Sequence, residues 1–238
     1  RVRGRFGEAV IGMRFGQVIV GPPASGKSVY CNGLQQYLSA LGRNVKVINL
    51  DFANDAVPYD LSVDVRELQT VEGAMAEHGL GPNGALTYCA NFLLENVDWL
   101  VDKIAQLPED AYLLLDLPGQ VELYTHDTSI KQVVHAIAKQ ADLRLASVQL
   151  IDCIHCVEAA RFISAVLLSL TTMLRLELPH VNVISKVDLL PSLGVLPFNM
   201  DFFTEVHDLP RILRFLDQRP GADDDYVDDD DDDDEEEE

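Results

Sequence analysis

Gly21-Pro22-Pro23-Ala24-Ser25-Gly26-Lys27-Ser28 follows a short apolar run, Gln17-Val18-Ile19-Val20, and opens a stretch with helical spacing. The octapeptide has the form G-x-x-x-x-G-K-S/T, and it sits where that form must sit, between a strand and a helix. Glycines at both ends let the backbone wrap closely round a polyphosphate, with successive N–H groups turned inward. The helix that starts there adds the positive end of its dipole. Lys27 is placed to reach the β and γ phosphates, and the Ser28 hydroxyl to ligate Mg²⁺. Gly21, Pro22, Pro23, Ala24, Ser25, Gly26, Lys27 and Ser28 are therefore all candidate nucleotide contacts.

Outward from this loop, short apolar strands alternate with helices. The pattern predicts a strand over 17–20, a helix over 27–41 closed by Gly42, and a strand over 44–50. A long region with helical spacing covers 62–106. A strand over 112–115, a helix over 130–139, a strand over 146–151, a helix over 157–176 and a strand over 181–184 follow. Such alternation argues for a mostly parallel sheet covered on both faces, an α/β three-layer sandwich of the P-loop NTPase kind. After Asp188 the pattern weakens, interrupted by Pro191, Pro197, Pro210 and Pro220. Near the start, Arg5-Phe6-Gly7-Glu8-Ala9-Val10-Ile11-Gly12 is nearly repeated by Arg14-Phe15-Gly16-Gln17-Val18-Ile19-Val20-Gly21. Only the second copy runs into a phosphate loop. The first is a partial duplication or an edge strand, and residues 1–14 are set apart as an N-terminal extension.

Two further motifs name the nucleotide. Asp116-Leu117-Pro118-Gly119-Gln120 comes directly after the strand 112–115. There Asp116 is placed to hold Mg²⁺ and the Gly119 N–H to meet a γ-phosphate. Gln120 and Glu122 are placed to orient or polarise water. Ser185-Lys186-Val187-Asp188 follows the strand 181–184 and has the form N/S/T-K-x-D. A carboxylate such as Asp188 can accept two parallel hydrogen bonds from guanine N1–H and its exocyclic amine, a donor pair that adenine lacks. Lys186 would lay its methylenes across the base.

Composition narrows the class. The chain has 238 residues, 47% of them hydrophobic, and a formal net charge of −21. Asp223 to Asp225 and Asp228 to Glu238 supply 14 of its 39 acidic residues, leaving 25 against 18 basic ones. A block of like charge without apolar period is expected to be a disordered acidic tail, covering 221–238. Direct nucleic-acid binding is disfavoured, since phosphates would meet repulsion. The four cysteines are too few and scattered for a disulfide framework. Cys153-Ile154-His155-Cys156 has no second C-x-x-C to complete a metal site and is read as core. The longest apolar stretch, 162–174, is too short to span a bilayer and is read as a buried helix. With no secretory leader visible, a soluble intracellular protein without membrane contact is expected.

With these motifs placed, Gly81-Pro82-Asn83 decides the family. The chain resembles the GPN-loop GTPases, in particular the eukaryotic branch called GPN-loop GTPase 2. The likeness rests on residues 15–28, Val47-Ile48-Asn49-Leu50-Asp51, Pro58-Tyr59, Val63-Asp64-Val65 and Leu80-Gly81-Pro82-Asn83-Gly84. Residues 116–122, Asp142-Leu143-Arg144-Leu145, Phe162-Ile163-Ser164 and 177–188 extend it, within a GTPase domain drawn from 15 to 220. The resemblance implies GTP with Mg²⁺, GTP hydrolysis, and a homodimer or a dimer with a GPN-loop paralogue. It implies that Asn83 reaches toward the γ-phosphate of the facing subunit and that Asp51, in the first switch, positions the attacking water. A strand-end carboxylate capping the next turn is the alternative for Asp51. The implied cellular role is assembly and nuclear import of RNA polymerase II and related complexes, hence a cytoplasmic protein that shuttles to the nucleus. Two other functions stay open: a GTP-binding scaffold without turnover, and a P-loop small-molecule kinase, against which Gly81 to Asn83 and Ser185 to Asp188 argue.

The sequence departs from the family in three places. Phe52 stands where the family has proline, which frees φ and adds an N–H. Val29 replaces a threonine at a helical position not expected to bind metal. Family members continue with a final strand, a further guanine-contacting loop and closing helices. A C-terminally shortened domain is thus expected here.

Overall fold

The computed structural model describes residues 13–54, 56–194, 196–206 and 209–213. The first copy of the near-repeat and the acidic tail lie outside these residues. The chain runs β1 (Arg14–Val20), α1 (Lys27–Ala40), β2 (Val45–Asn49), β3 (Leu61–Asp64), α2 (Val71–His78), α3 (Pro82–Glu95) and α4 (Val97–Ala105). Then come β4 (Tyr112–Asp116), α5 (Glu122–Thr125), α6 (Ser129–Gln140), β5 (Leu143–Asp152), α7 (Ala159–Leu176) and β6 (His180–Ser185). Three short helices follow, α8 (Leu190–Leu193), α9 (Met200–Glu205) and α10 (Leu209–Leu213).

The strands form one six-stranded sheet in the order β3-β2-β4-β1-β5-β6, with every described pairing parallel. A parallel sheet covered on both faces needs strands that are apolar throughout. Val18, Ile19 and Val20 of β1 and Leu113, Leu114 and Leu115 of β4 meet that need and are fully buried. On one face, Ile19, Val45, Val47, Leu114, Val148 and Leu150 pack with Cys31 of α1. On the other lies a larger cluster that includes Ile130, Val133, Val134 and Ile137, the helical stripe of α6. The expected α/β three-layer architecture is therefore what forms.

Two boundaries differ from the sequence reading. β1 begins at Arg14, inside the stretch read as an extension, and pairs with Leu143. Arg14 is buried there, its guanidinium donating to the Ile104 carbonyl at 2.8 Å while its Nε has no partner, and an apolar count passes over such a residue. The region 62–106 is not helical from its start. Leu61–Asp64 forms the edge strand β3, pairing Ile48 with Val63 and Asn49 with Asp64. Four residues are too few for alternation to show before the next helical period begins. Helices α2, α3 and α4 fill the rest: α2 is capped by the Thr70 hydroxyl and closed by Gly79, and α3 opens with Gly81 as N-cap and Pro82 in its first turn.

α7 is long and apolar enough by composition to cross a membrane. The expectation of burial holds for one stripe only. Ala159, Phe162, Ala165, Ser169, Thr172 and Leu176 are buried, while Leu167, Leu170 and Leu174 are exposed.

The chain divides into two compact units after Pro197, where the sequence reading drew one domain to 220. In the second unit the Asn199 side chain caps α9, the rings of Phe198 and Phe202 stack at 4.2 Å, and the Arg211 guanidinium lies 5.7 Å from the Phe198 ring centre.

Candidate nucleotide site

Because the sheet is parallel, the carboxyl ends of β1, β2, β4, β5 and β6 all face one edge. The chain leaves β1 for β2 and β3 on one side, then returns through β4 to build β5 and β6 on the other. Ligands of such sheets bind outside the strand ends at that reversal. A cleft of about 450 Å³ lies there, lined by Pro23, Ala24, Gly26, Lys27, Ser28, Val29, Asp51, Ala53, Asn54, Gly119 and Lys186.

The phosphate loop is shaped by backbone conformations with positive φ at Ala24 (61°) and Gly26 (96°). Gly26 is the N-cap of α1, and its left-handed conformation suits a residue without Cβ. The loop has two faces. Pro23 and Ala24 line the cleft, whereas Pro22 backs onto a small apolar cavity with Ile151, Ala165 and Leu168. Lys27 is buried, and its ammonium donates to the Gly21 carbonyl at 3.0 Å and the Pro22 carbonyl at 3.2 Å. Burial lowers its pKa, opposed by the charges of Asp116 and Asp51. Neutral carbonyls are weaker acceptors than phosphate oxygens, so this cation is held ready for exchange.

Asp116 ends β4 opposite Ile19 and Asn49, and is 1% exposed. Its Oδ2 accepts from the Ser28 hydroxyl at 2.7 Å and from the Tyr59 hydroxyl at 3.0 Å. Its Oδ1 is buried without a hydrogen-bond partner. Burial raises the Asp116 pKa, against the pull of Ser28, Tyr59 and Lys27. The next turn folds back so tightly that a Cβ on Gly119 would stand 3.2 Å from both Lys27 Nζ and Pro23 Cα. Gly119 is thereby brought against the lysine and the phosphate loop, and its N–H bonds to the Asp51 carboxylate.

Asp51 lines the cleft. Its carboxylate accepts from the Ala53 N–H at 3.0 Å, so the capping contact foreseen as its alternative role is present. Burial nonetheless raises its pKa, opposed by the Ala53 N–H, Lys27 and the Gly119 N–H. Phe52, in place of the family proline, is buried in the larger core cluster, so side-chain burial seats the turn where a fixed φ would have. Asn49 ties Asp51 to the edge strand by accepting from the Asp51 N–H and donating to the Asp51 carbonyl and Asp64. Asp64 in turn holds Arg66, whose guanidinium also donates to the Asn54 carbonyl. Sequence reasoning assigned no role to Asn49, Asn54, Tyr59 or Arg66; the family likeness at Val47 to Asp51 and at Pro58-Tyr59 was the available signal.

Asn83 stands in the first turn of α3, exposed. Its Oδ1 accepts from Gln120 Nε2 at 2.7 Å, so the GPN tripeptide touches the D-x-P-G-Q turn of its own chain. The amide of Gln120 is engaged with Asn83 in this arrangement, where the sequence reading had it orient water. Glu122 is exposed at the start of α5 and does not line the cleft.

The S-K-x-D segment begins at the last residue of β6. The Ser185 hydroxyl donates to the Ser25 carbonyl at 2.8 Å, which ties this segment to the phosphate loop. Lys186 lines the cleft and its ammonium donates to Asp152 at 2.6 Å, which pulls the Asp152 pKa down against the effect of burial. Asp188 is exposed in the 3₁₀ turn Val187–Leu189. Cys153 and Cys156 are buried free thiols, as read. Among the described residues, no cluster of three or more His, Cys, Asp or Glu could hold a metal alone.

A strand–phosphate-loop–helix, a D-x-P-G turn over the lysine and an S-K-x-D segment joined to the loop define a P-loop protein of the GTPase class. Residues 19–229 match a family described as "Conserved hypothetical ATP binding protein". The chain is 52% identical to GPN-loop GTPase QQT1 of Arabidopsis thaliana over 87% of this chain and 70% of that protein. It is 50% identical to GPN-loop GTPase 2 of Danio rerio (87% and 66%) and 45% identical to that of Saccharomyces cerevisiae (87% and 60%). A GTPase from Pyrococcus abyssi, solved in its apo form, superposes with a TM-score of 0.66 at 30% identity, covering 76% of this chain and 71% of that one. The chain belongs to the GPN-loop GTPase family. It spans about two thirds of the length of these curated relatives.

Proposed function

We propose that the chain binds GTP with Mg²⁺ and hydrolyses its terminal phosphoanhydride, cycling as a dimeric switch. The observation that carries this reading is the Ser185–Ser25 bond, which sets the S-K-x-D segment at a fixed distance from the phosphate loop. One rigid frame then offers Asp188 to a guanine edge and Lys27 to the phosphates. The family description names ATP, and Asp188 is the residue that argues for guanine, because adenine cannot give its carboxylate two donors.

Ser28 and Asp116 fit a magnesium ion. The buried Asp116 Oδ1 is an acceptor with no hydrogen-bond partner among the described residues, and the Ser28 hydroxyl keeps a lone pair while donating to Asp116 and accepting from Asn54. Bound there, the cation would neutralise charge on the β and γ oxygens. Lys27 and the loop N–H groups bind the polyphosphate, and Gly119 senses its terminal group. Asp51, made more basic by burial, orients the attacking water and accepts from it. Asn83 completes the site from the facing subunit of a homodimer or a dimer with a paralogue.

By family resemblance we extend the proposal to assembly and nuclear import of RNA polymerase II, with a cytoplasmic protein that shuttles to the nucleus. Its acidic balance supports protein partners over nucleic acid or anionic membrane. The test is single-turnover phosphate release from GTP with Mg²⁺. Release that falls at least tenfold in Asn83→Ala, with GTP affinity retained, is expected. GTP binding without release would replace hydrolysis by a scaffold role.

A further inference from the structure

Tyr59 belongs to none of the nucleotide motifs, yet its hydroxyl meets the carboxylate at their centre. Its ring is 6% exposed and sits in the smaller apolar cluster with Ile19, Val45, Val47 and Leu114, so the hydroxyl has little freedom to move. It donates to Asp116 Oδ2 at 3.0 Å, the oxygen that also accepts from Ser28. Rotating the carboxylate would unpair two hydroxyls together, one of them buried, and a buried unpaired polar group is costly. Two bonds on Oδ2 thereby fix Oδ1 as the oxygen left over, buried and without a partner.

The backbone beside the tyrosine is held just as firmly. Gln35 of α1, itself buried, donates to the Asp60 carbonyl at 3.0 Å and accepts from the Asp60 N–H at 2.9 Å. α1 is the helix that begins at Lys27, so one rigid element sets both the phosphate loop and the tyrosine that faces Asp116. On the far side, Asn54 donates to the Ser28 hydroxyl at 3.3 Å. The segment between β2 and β3 thus grips the metal pair Ser28–Asp116 at both of its residues.

We infer that Tyr59 is a positioning residue for Mg²⁺: its hydroxyl aims Asp116, and so links cation retention to the segment that carries Asp51. The inference rests on the Mg²⁺–GTP reading above and assigns Tyr59 no contact with nucleotide. Outer partners of metal-bound carboxylates typically change metal affinity by about 10–100-fold when removed.

Tyr59→Phe deletes one oxygen and keeps the packed ring. Tyr30→Phe serves as control, because its hydroxyl bonds to Gln17 at 2.9 Å, away from Asp116. Binding of a fluorescent guanine nucleotide is measured first in EDTA and then through a Mg²⁺ titration. In Tyr59→Phe the Mg²⁺ midpoint should rise about tenfold or more, with affinity in EDTA and melting temperature unchanged; Tyr30→Phe should match the unsubstituted protein. An unmoved midpoint in Tyr59→Phe overturns the inference. Equal loss in EDTA and in Mg²⁺ also overturns it, because the hydroxyl would then support the pocket as a whole. If the unsubstituted protein binds guanine nucleotide with no Mg²⁺ dependence, the Mg²⁺–GTP reading falls as well.

Discussion

The phosphate end and the base end of the cleft are built from different parts of the sheet. Lys27, Ser28 and Asp116 follow or end β1 and β4, interior strands whose residues Val18 to Val20 and Leu113 to Leu115 are fully buried. Lys27 is held by two carbonyls of its own loop, and Ser28 and Asp116 each have partners from two segments. The base-reading segment hangs from β6, an edge strand in which Val181 is 54% exposed, and Asp188 projects from a short turn beyond it. Its anchors are few: Ser185 to the loop and to the Ile151 carbonyl, Lys186 to Asp152, and the Lys186 carbonyl accepting from the Cys153 thiol. On the proposed reading, phosphate recognition is set by the core, while base choice depends on one carboxylate at the sheet margin. Substitutions should separate the two functions.

The largest effect belongs to the core end. Lys27→Ala removes the cation that the loop presents to the β and γ phosphates, and triphosphate affinity should fall at least about 100-fold, as charge-assisted contacts in a dry site are the strong ones. Isothermal titration with GTP checks it, and unchanged affinity would undo the phosphate-loop assignment.

At the margin, Asp188→Asn should exchange partners. One acceptor becomes an NH₂ donor, which faces the guanine amine but matches the oxygen that xanthine carries at position 2. An unpaired polar group costs about 1–3 kcal/mol, or roughly one to two decades of GTP affinity, with XTP gaining in step. Loss of phosphate affinity for every nucleotide alike would mean that the two ends are not separable.

The opposite edge sharpens the contrast, because β3 is tied by side chains directly to the segment that carries Asp51. Asp64 is mostly buried and pairs with Arg66 at 2.7 Å while accepting from Asn49. Burial pushes its carboxyl up, but the bonds from Arg66 and Asn49 outweigh this and hold it below 3.8. A depressed carboxyl contributes stability above its ordinary pKa and loses it as pH falls through the lower folded value. Asp64→Asn should therefore cost about 1–3 kcal/mol at neutral pH, and the gap should close in acid. Urea unfolding of both proteins at the two pH values would show it.

Much of the cleft was legible because phosphate chemistry is written in contiguous residues. Gly21 to Ser28, Asp116 to Gly119 and Ser185 to Asp188 are each a strand end plus a turn, and the parallel sheet brings those ends together whatever lies between. What escaped the sequence depends on distant pairs. Tyr59 meets Asp116 across 57 positions and Gln120 meets Asn83 across 37, contacts that no local period encodes. Arg14 and β3 were missed for a related reason. A charged residue bonded to a carbonyl 90 positions away, and a strand of four residues, leave no apolar signature.

The most direct test compares GTP and ATP binding to the unsubstituted chain in one buffer with Mg²⁺. If Asp188 reads the base, GTP should bind at least about tenfold more tightly, the equivalent of one well-formed pair of polar contacts. Equal affinity for ATP would contradict the guanine assignment and leave a phosphate-binding protein indifferent to the base.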